Sequence, residues 1–348
     1  MTIGVAIIGS GIFVREEHLP AVHACSLLTL KAVYSRSLKS AKALETNVGL
    51  YSDDAGSGKT YHDLLLRDDI HAVILALPIM TQPEFIEAAL AAGKHVLAEK
   101  PIAADIHRAE KLIAYYQSDK VKGGATWAVA ENFRFLESFE YGREEIEKLG
   151  KILGFRVKMF ANVKPGGKWI ETPWRKKPEY QGGFLLDGGV HFVAGTRKLL
   201  GSDYCTALTA YSTLLQEHLP PVDTVNSVWQ TKSGISGTFS VSFGTTLSGG
   251  EYTVACEKGS VTIIRDRVIV RQGEESEGKS SEINFADNLH NAGSGVKPEV
   301  QAWAEGIEAG KPNPNQSPEQ ALGDLEILEK MLKSGEANGQ PQTLKYQN

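Results

Sequence analysis

An apolar run, His95-Val96-Leu97-Ala98, leads straight into Glu99-Lys100-Pro101. The run reads as a strand, so Lys100 falls at its carboxyl end, the edge of an open α/β sheet where ligands bind. An amine there can pass a proton to or from a bound oxygen. Farther along stand Asp187 and His191, within Gly182-Gly183-Phe184-Leu185-Leu186-Asp187-Gly188-Gly189-Val190-His191. If residues 185 onward are helical, the two share a face one turn apart. An acid beside an imidazole can hold and exchange a proton. Taken singly, each feature has a plainer reading: a solvated lysine, and a helix-surface ion pair. Trp174-Arg175 and Asn132 add groups suited to a polar, hydroxylated ligand, since indole packs on C–H faces and guanidinium donates to oxygens.

A second set of residues points to a nucleotide. Ile7-Ile8-Gly9-Ser10-Gly11-Ile12-Phe13-Val14 reads as a buried strand, a glycine turn and a helix start. The first glycine permits the tight turn, and the second lets backbone N–H groups approach a pyrophosphate. The third small residue of that fingerprint is replaced by Val14. At the end of the next strand stand Ser35-Arg36-Ser37, with Lys39 and Lys42 behind them and no carboxylate in the stretch. An acid there would bind the ribose 2′-hydroxyl of NAD. Arg36 instead offers a planar fork matched to a 2′-phosphate, with Ser35 and Ser37 as further donors, which predicts NADP(H). Gly56-Ser57-Gly58-Lys59-Thr60 imitates the end of a phosphate loop, but Asp53 holds the first glycine's place and no apolar strand precedes it. It reads as a surface turn.

The elements that must position these groups follow from periodicity. Ile3–Ile8, Leu28–Tyr34, Ala72–Leu77 and Val96–Ala98 read as buried parallel strands. Helices are predicted over Leu38–Leu44, Tyr61–Leu66, Glu84–Ala92 and Ile106–Tyr116, and Thr126–Asn132 as a closing strand. Beyond a helix at Phe139–Lys148, strands dominate: Ile152–Val163, Tyr204–Leu215, Val225–Lys232, Gly237–Phe243, Glu251–Cys256, Ser260–Ile264 and Val268–Gln272. Glu274–Ser281 reads as a mobile surface loop, and helices at Pro298–Ala309 and Pro318–Lys333 close the chain. The fold class is therefore α/β: an N-terminal Rossmann domain over 1–124, and a C-terminal α+β domain over 125–348 with a large open, mostly antiparallel sheet.

Composition narrows the functional classes. The chain has 348 residues and a formal net charge of −5, which with no long basic run argues against nucleic acid. Ala72–Leu77, the longest apolar stretch, is too short to cross a bilayer, and Met1–Val5 enters a strand without a leader-like segment. Cys25, Cys205 and Cys256 lack metal or disulfide spacing. A cytoplasmic protein with no membrane partner and no metal is expected.

Together, Gly9-Ser10-Gly11, Ala91–Pro101 and Gly182…His191 resemble the Gfo/Idh/MocA oxidoreductases, the glucose–fructose oxidoreductase and inositol dehydrogenase group. The likeness extends to Ser317-Pro318-Glu319-Gln320-Ala321-Leu322. Trp174-Arg175-Lys176-Lys177-Pro178-Glu179 is most similar to a fungal NADP(H)-dependent branch. The resemblance implies hydride transfer between nicotinamide C4 and a carbonyl or alcohol carbon of a small, sugar-like, aldehyde or ketone substrate. It implies catalytic roles for Lys100, Asp187 and His191, with Lys100 on the reacting oxygen and a cis bond before Pro101. For the cofactor it implies Gly9, Ser10, Gly11, Ile12, Phe13, Ser35, Arg36, Ser37, Leu77, Pro78, Gln82, Glu99, Lys100 and Asn132. Gln82 stands where many members carry histidine. The substrate falls to Lys100, Asn132, Trp174, Arg175, Asp187 and His191. A homodimer formed through the open C-terminal sheet is also implied. The alternative on the same fold is a non-catalytic NADP-sensing regulator.

Overall fold

The computed structural model describes residues 2–273, 279–285 and 294–347. They divide into two units, Met1–Asn132 with Gly293–Leu322, and Phe133–Ala292 with Gly323–Asn348.

The first unit is built on six strands: β1 (Ile3–Ile8), β2 (Leu28–Ser35), β3 (Gly49–Ser52), β4 (Ala72–Leu75), β5 (His95–Glu99) and β6 (Trp127–Ala130). They lie in the order β3-β2-β1-β4-β5-β6, and every pairing is parallel. Strands covered on both faces must be apolar throughout, and Val5, Ala6, Ile7 and Ile8 are each wholly buried. The strand order reverses direction between β1 and β4, which opens a crevice at their carboxyl ends. One cover comes from far along the chain. Helix Val296–Glu308 buries Val296, Val300, Trp303 and Ala304, one apolar stripe at helical spacing. These join Val5, Ile7, Val14, Val22 and Leu28 in a single core.

Several predicted boundaries move. The third predicted strand stops at Leu75 rather than Leu77, and the following helix begins at Gln82 rather than Glu84. The strand predicted to reach Asn132 ends at Ala130, and Asn132 opens a 3-10 turn. After the glycine turn comes a π-helical turn, Val14–His18, and only then an α-helix, Leu19–Ala24. Thr60 belongs to a capping box with Asp63 at the start of helix Tyr61–Leu65, which accounts for the phosphate-loop look-alike.

The second unit carries nine strands: β7 (Ile152–Asn162), β8 (Cys205–Thr213), β9 (Thr224–Thr231), β10 (Ser236–Ser242), β11 (Gly244–Cys256), β12 (Gly259–Ile264), β13 (Arg267–Gln272), β14 (Lys279–Asn284) and β15 (Gln342–Thr343). Their order is β14-β13-β12-β11-β7-β10-β9-β8-β15. Only β7 and β10 run parallel. Part of the predicted loop Glu274–Ser281 is thus strand from Lys279 on, and residues 274–278 lie outside the described set. Alternation sets the faces: Val225, Ser227 and Trp229 of β9 are buried, while Asn226, Val228 and Gln230 are exposed.

Helix Gly183–Leu200 packs in this unit, and its glycines serve contact. A β-carbon at Gly188 would fall 2.8 Å from the Phe243 ring, and one at Gly195 would fall 2.5 Å from that of Phe139. Behind the helix lies a buried charge cluster. Arg134 grips Asp324 with its Nη2 at 2.7 and 2.5 Å from the two carboxylate oxygens, and Arg197 Nη1 donates to the same carboxylate at 2.7 Å. Gln347 accepts from Arg197 Nε, which ties the C-terminal segment to this cluster.

Candidate functional site

The nucleotide end grows from the tip of β1. Gly9 has φ +125°, and a β-carbon there would lie 2.4 Å from the carbonyl oxygen of Ala76, so only glycine makes this turn. Gly11 differs: a β-carbon there would meet nothing within 4 Å. The backbone is bare on its open side, the space a pyrophosphate needs to approach, and these residues fit a dinucleotide. Val14 is fully buried in the core, so the missing small residue is absorbed by packing. Ile12 and Phe13 carry the turn into the π-helical segment. The hydroxyls of Ser10 and Ser35 lie 2.7 Å apart and tie the turn to the end of β2.

Past β2, the Ser37 hydroxyl accepts from Ser40 N–H and caps helix Leu38–Lys42. Arg36 is exposed and pairs with no carboxylate among the described residues. The sequence shows no acid in this stretch, yet the fold brings two. β3 pairs with β2 so that Ser52 lies beside Ser35, and Asp53 and Asp54 follow at once. Asp53 accepts from the Tyr34 hydroxyl at 2.6 Å. Asp54 Oδ1 accepts from both Leu38 N–H and the Ser52 hydroxyl, each at 2.6 Å. Those bonds hold its carboxyl below the usual carboxylate range, the Ser52 hydroxyl first and the Leu38 N–H second.

At the end of β5 the residue before Lys100 is held from two sides. Glu99 Oε1 lies 2.7 Å from Nε2 of His18, which is fully buried. The Glu99 carbonyl accepts from Gln82 Nε2 at 2.5 Å. Nδ1 of His18 is buried and has no hydrogen-bond partner among the described residues. Phe13 packs edge-on against the same ring at 5.3 Å. The Lys100–Pro101 bond is cis, as the family likeness implies. Leu77 and Pro78 lie in the connection between β4 and the helix that starts at Gln82. The Asn132 amide donates to the carbonyl of Ser294, beside the start of helix Val296–Glu308.

The second unit gathers the remaining residues. Gly182, at φ +71°, precedes the first turn of helix Gly183–Leu200, which carries Asp187 and His191 four residues apart. Asp187 accepts from Arg175 Nε at 2.7 Å, with both side chains largely buried. The Arg175 guanidinium lies 4.0 Å from the centre of the Trp174 ring, a cation–π geometry. Tyr180 packs near Trp174, ring centres 6.1 Å apart. Burial, with Asp187 nearby, pushes its phenol upward, and Arg175 opposes that shift. His191 stacks on Phe133 at 4.8 Å with the planes 19° apart. Spacing alone places Asp187 and His191 on one helix. The Arg175–Asp187 pair, bridging twelve positions, and the Phe133 shelf come from tertiary packing.

Comparison with known proteins agrees with this construction. Residues 3–124 match the family model described as "Oxidoreductase family, NAD-binding Rossmann fold", and residues 143–344 match its "C-terminal alpha/beta domain". The chain is 40% identical to Dehydrogenase FPY6 of Fusarium mangiferae, over 99% of this chain and 100% of that one. It is 33% identical to the dTDP-3,4-didehydro-2,6-dideoxy-alpha-D-glucose 3-reductase of Actinomadura kijaniata, over 58% of this chain and 57% of the relative. The crystal structure of an oxidoreductase from Thermotoga maritima superposes with a TM-score of 0.85 at 29% identity, covering 99% of this chain and 98% of that one. Among the described residues no helix is long and apolar enough to cross a membrane. A Rossmann unit with a glycine turn suited to a dinucleotide, joined to a nine-stranded α/β unit, places this chain in the Gfo/Idh/MocA oxidoreductase family.

Proposed function

We propose that the protein is an NADP(H)-dependent oxidoreductase acting on a carbonyl or alcohol carbon of a small, sugar-like, aldehyde or ketone substrate. The observation that carries this reading is the amine of Lys100. It follows a strand whose last residue is clamped by His18 and Gln82, on the sheet that bears the Gly9–Gly11 turn. Arg36, a cation with no carboxylate partner among the described residues, supports the 2′-phosphate form of the cofactor. When bound, that cofactor supplies or accepts the hydride. In the reductive direction Lys100 donates a proton to the substrate oxygen as it gains charge, and in the oxidative direction it accepts that proton. His191, fixed on Phe133, orients the substrate and relays the proton. Asp187, through its bond to Arg175, sets the guanidinium and the Trp174 face that receive the substrate's hydroxyls. The 3-reductase of Actinomadura kijaniata is named for a dideoxy, didehydro sugar, which supports a sugar-like carbonyl substrate class here.

The test is NADPH oxidation across sugars, dicarbonyls and aldehydes. Turnover with at least one class is expected. Tight NADPH binding without turnover across the panel would support the regulator instead. We also propose a homodimer formed through the open sheet. Val228 and Tyr211 stand 47% and 63% exposed there, and such a contact would cover them. Sedimentation that finds only monomer at micromolar concentration would remove this assignment. Three free, buried cysteines fit a reducing compartment, and we place the protein in the cytoplasm; fractionation that recovers it elsewhere would correct this.

A further inference from the structure

The carboxylates that β3 delivers to the end of β2 bear on cofactor choice. Asp54 is exposed and its two hydrogen bonds converge on one oxygen, Oδ1. Its carboxylate brings a negative charge to the residue that follows Ser37, through the bond to Leu38 N–H. The Ser37 hydroxyl is spent on its own helix cap, the Ser35 hydroxyl on Ser10, and the Leu38 N–H on Asp54 itself. That leaves the phosphate to cations, and of these Arg36 directly follows β2. A doubly charged phosphate held by Arg36 would lie within a Debye length of the Asp54 carboxylate, close enough for repulsion to act in water. The neighbouring acid, Asp53, is also exposed, and its Oδ1 accepts from the Tyr34 hydroxyl on the strand.

We propose that Asp54 is a specificity-determining residue that restrains the preference for NADP(H), so that this protein also binds NADH. The inference rests on the reading of Arg36 as the phosphate holder. Asp54 does two things at once. Oδ1 fixes the turn that presents Arg36, and the net charge opposes the ligand that Arg36 attracts.

The geometry separates these effects. In Asp54→Asn the amide oxygen keeps both bonds, and an uncharged NH2 group replaces Oδ2. Dissociation constants for NADPH and NADH, read by nicotinamide fluorescence at low ionic strength, give the test without any turnover. Asp54→Asn is expected to tighten NADPH by about three- to tenfold and to leave NADH unchanged, with the gain shrinking in high salt. An unchanged NADPH constant, or equal movement of both cofactors, would overturn the proposal. Arg36→Asp is the companion arm and should weaken NADPH well over tenfold while sparing NADH. Equal loss of both cofactors in that variant would bring down the phosphate-holder reading itself, which is a different failure from a flat Asp54→Asn result.

Discussion

Lys100→Ala is expected to lower kcat by about 10²–10⁴-fold, the usual worth of a positioned proton donor, or roughly 3–5 kcal/mol of barrier. NADPH binding should change far less, because the Gly9 turn and Arg36 are untouched. The argument is positional. Lys100 follows Glu99, whose carboxylate and carbonyl are held by His18 and Gln82, so the backbone that presents the amine is fixed at both ends of one residue. Lys100→Arg sharpens the assignment. Guanidinium can still donate a hydrogen bond to the substrate oxygen, but it does not give up its proton near neutral pH. A proton-handling lysine predicts that arginine fails as alanine does. Recovery of turnover in Lys100→Arg would reduce Lys100 to an anchoring cation, and near-normal turnover in Lys100→Ala would end its catalytic role.

The second large effect concerns stability. Asp324 is 1% exposed and lies between Arg134 and Arg197, whose side chains are 5% and 8% exposed. Removing one partner of such a cluster strands the others in a medium that solvates charge poorly. Asp324→Asn keeps the shape and removes the negative charge that Arg134 and Arg197 share. A loss of about 3–5 kcal/mol is expected, which lowers Tm on the order of 10 °C for a unit of this size. Differential scanning calorimetry reads this directly. A Tm within about 2 °C of the parent would mean that water or a moved side chain replaces the carboxylate.

Much of the fold was legible because its physics is local. Val5–Ile8 and Ala72–Leu75 are continuous apolar runs, and a strand buried on both faces has no other way to be written. Gly9 was legible because a turn that tight admits one residue type. Asp187 and His191 were legible as partners of one helical face. β3 escaped notice because Gly49-Leu50-Tyr51-Ser52 is short and shows neither clean alternation nor an unbroken apolar run. With it went the carboxylates beside Arg36, which lie well apart from it in sequence and become neighbours only through strand pairing. His18 was hidden for a related reason. Its contact with Glu99 spans 81 positions, and the π-helical turn that presents it has no periodic signature. The Arg175–Asp187 pair likewise depends on how the chain between them folds back, which spacing does not encode.

The placement of helix Val296–Glu308 in the first unit has a consequence for how the chain is made. Val14, Val22 and Leu28 emerge from the ribosome early, but part of the cover over them, Val300 and Trp303, is encoded roughly 170 residues after β6. At translation rates of about 5–20 residues per second, the nascent sheet waits on the order of ten seconds or more with an apolar flank unsealed. A chain released or cut near residue 132 keeps that flank permanently open. The nucleotide-binding half is therefore not a contiguous module to be transplanted by truncation, because part of its core is written into the far end of the chain.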